Sequence, residues 1–209
     1  MLPLDASSLG SVAVLGRLAD ARNLGDGGSS DVWAPSVVTP LEGLRAALGD
    51  GIEVIHSDDD VSLAEGADVA VVVVGYTRAD EGEFIGGSGT KHLSDLMPVE
   101  DEPEVVGAFE AVLAADPNDF QAPDVADHEG LGFSKGGDRT SLRLRPTDED
   151  LIAATVAANP ATVVAVVAGS AVMIDSWDRS VPAVVQTWYS GMEGGHALAG
   201  LLFLSLIHI

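Results

Sequence analysis

The chain contains no cysteine, which removes disulfides, thiolate nucleophiles and cysteine-ligated metal sites while leaving its compartment open. Basic residues are scarce: 10 Lys and Arg stand against 33 Asp and Glu, a formal net charge of −23 at pH 7. Such a surface repels phosphate backbones, so no nucleic acid partner is expected, and the acidity reads as solubility or adaptation to salt. Aromatics make up only 5% of the residues, so the core must come from Val, Ala and Leu, which suit parallel sheets covered on both faces. No apolar run reaches the length of a membrane span, and residues 1–5 carry neither the basic region nor the apolar stretch of a signal peptide. A soluble chain without a membrane partner is expected, cytoplasmic or secreted. Aliphatic material is plentiful: hydrophobic residues are 46% of 209 and mean hydropathy is +0.26, enough for one sizeable globular domain.

Short apolar runs alternate with helical patterns. Ser11-Val12-Ala13-Val14-Leu15-Gly16 reads as a buried strand ending in glycine, residues 52–55 as a second, and Ala70-Val71-Val72-Val73-Val74-Gly75 as a central strand buried on both faces. Thr39-Pro40-Leu41-Glu42 marks a helix start, with Thr39 as N-cap, Pro40 at the first position, Glu42 closing a capping box and Gly49 ending the helix. A second helix is predicted from a Thr147 cap to Ala158, with Leu151, Ile152, Thr155 and Val156 on one face and Asn159-Pro160 as its stop. Residues 162–167 and 181–187 read as strands, and 195–203 as a helix. Residues 91–136 form an acidic excursion in which only 105–115 is helical in pattern. The alternation predicts an α/β, doubly wound, mostly parallel sheet between helices, whose ligands meet the carboxyl-edge loops after Leu15, Val74, Val167 and Thr187.

Gly25-Asp26-Gly27-Gly28-Ser29-Ser30 lacks the Gly-Lys-Ser/Thr of a phosphate loop and the Gly-x-Gly-x-x-Gly spacing, so it is either a plain turn or a loop shaping a ligand mouth, and a nucleotide-binding protein is the weakest reading. Asp80-Glu81-Gly82-Glu83-Phe84 gathers carboxylates where the fold places ligands; crowding raises their proton affinity, as a general acid requires, although a solvated acidic loop has the same composition. His56, His92, His128, His196 and His208 show no metal-ligand spacing. Gly169-Ser170-Ala171 is not a nucleophile elbow. Trp188 and Tyr189, ahead of a glycine turn, offer either packing or a face for a sugar ring.

In their order, these segments resemble the C-terminal (α/β)6 sandwich domain of family 3 glycoside hydrolases. The landmarks are the strand at 11–16, the stretches 23–30, 39–44 and 67–71, Gly137-Asp138-Arg139, and Trp188-Tyr189 through Gly195. The likeness spans residues 2–203 apart from the acidic excursion. It implies a six-stranded sheet beside an N-terminal (β/α)8 barrel, with the active site between them. It further implies a retaining exo-acting β-glycosidase of the β-glucosidase kind, in which an Asp on the barrel is the nucleophile and a Glu of the sandwich domain protonates the leaving oxygen. Retention needs two carboxyls about 5 to 5.5 Å apart, so the second must come from elsewhere. The family's Glu-Gly-aromatic motif is met by Glu81-Gly82, with Glu83 intervening before Phe84. The resemblance therefore makes Glu81 the general acid/base, with Glu83 as alternative, Asp138 and Arg139 as braces, and Asp26, Gly27 and Ser29 at the substrate mouth. No cofactor and no metal are implied; the partners are a β-linked glycoside or oligosaccharide and the barrel. Nothing before Leu2 encodes that barrel, and residues 204–209 resemble the translation of a sequencing-adapter end. The chain is thus expected to be a piece of an open reading frame with a non-native tail, inactive alone. The alternative is a non-catalytic carbohydrate-binding or interaction module on the same scaffold.

Overall fold

The structure, a computed structural model, describes residues 1–25, 34–81, 103, 139 and 141–203. Five strands form one parallel sheet: β1 (Ser11–Leu15), β2 (Glu53–Ser57), β3 (Val69–Gly75), β4 (Thr162–Val167) and β5 (Ala183–Gln186), in the order β2-β1-β3-β4-β5. The sheet is the predicted α/β doubly wound one, and the described residues supply five of the six strands that the resemblance implied. Among the described residues the α-helices are α1 (Pro40–Leu48), α2 (Ser62–Glu65), α3 (Arg78–Glu81), α4 (Pro146–Ala158) and α5 (Gly194–Leu202).

Side chains alternate across the sheet and build a core on each face. Val12, Val14, Val71, Val73, Val163 and Ala165 pack with Leu41, Leu44, Leu198 and Leu202 of α1 and α5. Ala13, Leu15, Val72, Val74, Val164 and Val166 pack on the other face with Ala64 of α2 and Ile152 of α4. Every residue of β3 and β4 is buried, whereas the edge strands β2 and β5 are only partly covered. β3 is central, as its unbroken aliphatic run predicted.

The start of α1 matches its sequence pattern: Glu42 N–H donates to the Thr39 hydroxyl at 3.2 Å and Thr39 N–H to Glu42 Oε2 at 2.9 Å, with Pro40 in the first turn. α4 begins differently. Its N-cap is Arg145, without a side-chain cap, and Thr147 lies inside the helix. Pro146 decides this: its fixed φ and missing N–H suit the first helical position, so the helix starts earlier than a Thr147 cap would have it. Of the predicted apolar face, Ile152 and Thr155 are buried while Leu151 and Val156 are only partly so. The stop at Asn159 is built as expected, and its amide also donates to the carbonyls of Ala64 and Ala67, tying α4 to the turn after α2. The acidic excursion at 91–136, its helical pattern at 105–115 and the tail at 204–209 lie outside the described residues, apart from Pro103.

Candidate functional site

Strand order reverses between β1 and β3, so the loops leaving these two strands diverge and open a crevice at the sheet's carboxyl edge. Both strands end in glycines with positive φ, Gly16 at 104° and Gly75 at 133°. A Cβ on Gly16 would lie 2.2 Å from the Val73 carbonyl oxygen, and one on Gly75 1.9 Å from that of Val167. Only glycine allows the chain to turn here against the neighbouring strand. The turns deliver Arg17 after β1, and Tyr76, Thr77, Asp80 and Glu81 after β3.

The crevice holds a charged network. Arg17 donates to the Gly75 carbonyl and stands 3.7 Å from Asp80 and 3.9 Å from Asp148 of α4. Arg145 pairs with the other oxygen of Asp80. Thr77 adds its N–H at 2.9 Å and its hydroxyl at 3.1 Å to Asp80, and Gly75 N–H reaches Asp148 at 3.4 Å. Burial alone would push Asp80 up, but the Thr77 N–H, Arg145 and Arg17 outweigh it and hold the carboxyl below its ordinary value. Asp148 is raised, because burial dominates over the pull of Arg17. Arg17 itself is lowered, by burial first, with Asp148 opposing. The place where a doubly wound sheet ordinarily receives a ligand is thus occupied by the protein's own charges.

Glu81 forms a second centre, toward β4 and β5. Its Oε1 accepts hydrogen bonds from the Gly169 N–H after β4 and, at 2.6 Å, from the Tyr189 hydroxyl after β5. Its Oε2 is 2.8 Å from Arg139 Nε. Both side chains are nearly buried, 9% exposed for Glu81 and 7% for Arg139. Arg139 is fixed in turn: its guanidinium lies 4.3 Å from the centroid of the Tyr76 ring, and its Nη2 donates to the Ser170 hydroxyl and, at 3.0 Å, to the Ala171 carbonyl. Glu81 therefore ties together the exits of β3, β4 and β5.

Of the predicted site residues, the structure brings Glu81 and Arg139 into direct contact. Glu83, Asp26, Gly27, Ser29 and Asp138 lie outside the described residues. The stretch that precedes Asp26 is anchored at the same edge, since the Asn23 amide donates to the Tyr76 carbonyl at 2.8 Å. Asp80 and Glu81 turn to different arginines, Asp80 to Arg17 and Arg145 and Glu81 to Arg139. Ser170, weighed against a nucleophile elbow, holds Arg139 instead. Sequence reasoning missed Arg17, Arg145 and Asp148, and gave Tyr189 no polar role. Only Arg17 carried a visible signal, a cation directly after a glycine-ended buried strand.

Among the described residues, no group of three or more His, Asp and Glu is placed to hold a metal ion. His56 Nδ1 lies 2.8 Å from the Val14 carbonyl and His196 Nδ1 2.7 Å from Glu193. Beside the carboxyl edge, Leu18, Ala21, Val38, Trp188, Ser190 and Leu198 line a cavity of about 30 Å³, room for roughly one water molecule. Trp188 is 54% exposed and has φ of 56°, a left-handed backbone that non-glycine residues seldom adopt. No helix among the described residues is long and apolar enough to cross a membrane.

The fold and site define a parallel α/β sandwich domain with a nearly buried carboxylate, Glu81, clamped at the carboxyl edge of its sheet. Residues 1–205 match the model of the Glycosyl hydrolase family 3 C-terminal domain, and the chain belongs to this family. It is 28% identical over 206 residues to the periplasmic beta-glucosidase of Salmonella typhimurium and 27% identical over 213 residues to Beta-glucosidase BoGH3A of Bacteroides ovatus, with 97% of this chain covered in each case. It is 25% identical over 209 residues to a beta-xylosidase of Formosa agariphila. These alignments cover 24%, 23% and 23% of the relatives, so the chain spans about a quarter of their length. The fold is also that of a β-glucosidase from Erythrobacter marinus, at 22% identity and TM-score 0.64 over 98% of this chain and 26% of that one.

Proposed function

We propose that this domain supplies the general acid/base of a retaining exo-acting β-glycosidase of the β-glucosidase kind, with Glu81 in that role and the nucleophilic carboxylate on an N-terminal barrel packed against the carboxyl edge. The observation that carries this reading is Glu81 itself: a carboxylate at the exit of the central strand, held in one orientation by Arg139, Tyr189 and Gly169, in a chain of this family. A general acid must reach the glycosidic oxygen in a fixed geometry, and three anchors from three loops supply that fixity. Asp80, the neighbouring carboxylate, is committed to Arg17 and Arg145. The second carboxyl that retention requires, about 5 to 5.5 Å away, belongs on this reading to the barrel, and the substrate is a terminal β-linked glucoside or a close relative such as a xyloside.

The test combines the chain with a family 3 barrel domain and follows aryl β-glucosides and β-xylosides. Glu81→Gln is expected to lower kcat/KM on phenyl β-glucoside by roughly 10²- to 10⁴-fold, the usual contribution of a general acid. It should nearly spare 2,4-dinitrophenyl β-glucoside, whose leaving group departs without a proton. Loss of phenyl glucoside turnover in Glu83→Gln but not in Glu81→Gln would move the role to Glu83. Absence of turnover by the unaltered pair, with sugar binding retained, would leave the carbohydrate-binding module, the reading that the exposed Trp188 also suits.

A further inference from the structure

A carboxylate offers about four lone-pair sites, two on each oxygen. In Glu81, Oε1 already takes two donors, the Gly169 N–H and the Tyr189 hydroxyl, and Oε2 takes one, Arg139 Nε. Only one site, on Oε2, remains for a proton without expelling a donor. Arg139 cannot easily follow the carboxylate elsewhere, because Tyr76 stacks on its plane and Ser170 and Ala171 hold Nη2. A separate observation points the same way: among the described residues, Arg139 Nη1 is buried without a hydrogen-bond partner. Leaving a buried donor unmade is costly, so the guanidinium is set for its contact with Oε2 and not for its own full satisfaction.

From this we infer that Arg139 and Tyr189 are positioning residues that confine the exchangeable proton of Glu81 to Oε2, an inference that rests on Glu81 being the acid/base. In the first step the proton leaves Oε2 for the glycosidic oxygen. That oxygen keeps the electron pair of the breaking bond to the anomeric carbon, while the nucleophilic carboxylate bonds to the same carbon. In the second step Oε2 takes a proton from water as the water oxygen displaces the carboxylate. Tyr189 and Gly169 keep Oε1 out of both transfers. Neither Arg139 nor Tyr189 touches the sugar on this account; they act through Glu81.

The experiment compares Tyr189→Phe and Arg139→Lys with the unaltered chain, each combined with the barrel domain, on phenyl and 2,4-dinitrophenyl β-glucosides. Tyr189→Phe opens a second protonation site on Oε1, and Arg139→Lys keeps the charge but loses the fixed planar donor. Each is expected to lower kcat/KM on the phenyl glucoside about 10-fold or more, within the range of proton-transfer effects, and to leave the dinitrophenyl glucoside within about 2-fold. A fall on both substrates together, or on neither, in both variants overturns the inference. If Glu81→Gln spares the phenyl glucoside, the acid/base assignment itself has failed. If Glu81→Gln is selective and the two positioning variants are not, only the inference has failed.

Discussion

Asp80 and Glu81 are adjacent in the chain and serve opposite ends of the carboxyl edge. The carboxyl of Asp80 turns toward Arg17 and Arg145, and that of Glu81 toward Arg139. With its value lowered in the folded state, Asp80 contributes stability that is present above its unfolded value of about 3.8 and is lost as pH falls through the folded value. Asp148 has the opposite sign: its raised value makes the ionised form the costly one, so its contribution is present at low pH and fades as pH rises. Asp80→Asn is therefore expected to destabilise the chain at pH 7, by a margin that narrows as pH is lowered below about 3.8. Urea unfolding at a series of pH values reads this, and a margin that stays constant with pH would contradict it. Little of this pairing was legible beforehand. Glu81 and Arg139 could be singled out because both sit in recognisable short motifs, but the partners Arg145 and Asp148 meet Asp80 and Gly75 only once the sheet is assembled, across separations of 65 and 73 residues.

At the scale of elements the sequence was far more informative, because local patterns decide them. The strands at Ser11–Leu15, Val69–Gly75 and Thr162–Val167, and the capping box of α1, follow from uninterrupted aliphatic runs and from Thr39, Pro40 and Glu42. The edge strands shifted by a few residues: β2 runs over Glu53–Ser57 and β5 over Ala183–Gln186. Their partial burial weakens the apolar signal that marks an end. What local patterns did not disclose is how α1 meets α5. A Cβ on Gly43 would lie 2.1 Å from the Gly195 carbonyl oxygen, and one on Gly195 2.0 Å from the Thr39 carbonyl oxygen. The two helices touch backbone to backbone. Gly195→Ala is expected to force them apart and to cost about 1–3 kcal/mol, typical of overpacking. Gly51→Ala, where nothing lies within 4 Å, should be far milder. Chemical denaturation of the two variants compares them, and equal costs would refute the close contact.

For the molecule as a whole, the formal charge of −23 sets a self-repulsion that opposes compaction and is screened by salt. Raising ionic strength from about 0.05 M to about 1 M, where the screening length drops to roughly 3 Å, is expected to raise Tm. A Tm that falls or stays flat would show that the acidity is already neutralised within the fold. The parallel sheet has a further consequence through its outermost elements. Leu4 N–H donates to the Leu202 carbonyl at 2.9 Å, and Val38 N–H to that of Met192 at 2.8 Å. The core on one face of the sheet is closed in two stages, by α1 soon after β1 and by α5 nearly the whole domain later in synthesis. Until α5 is made, that core lacks Leu198, Ala199 and Leu202, so its completion waits on contacts of high sequence separation, the kind that form slowly.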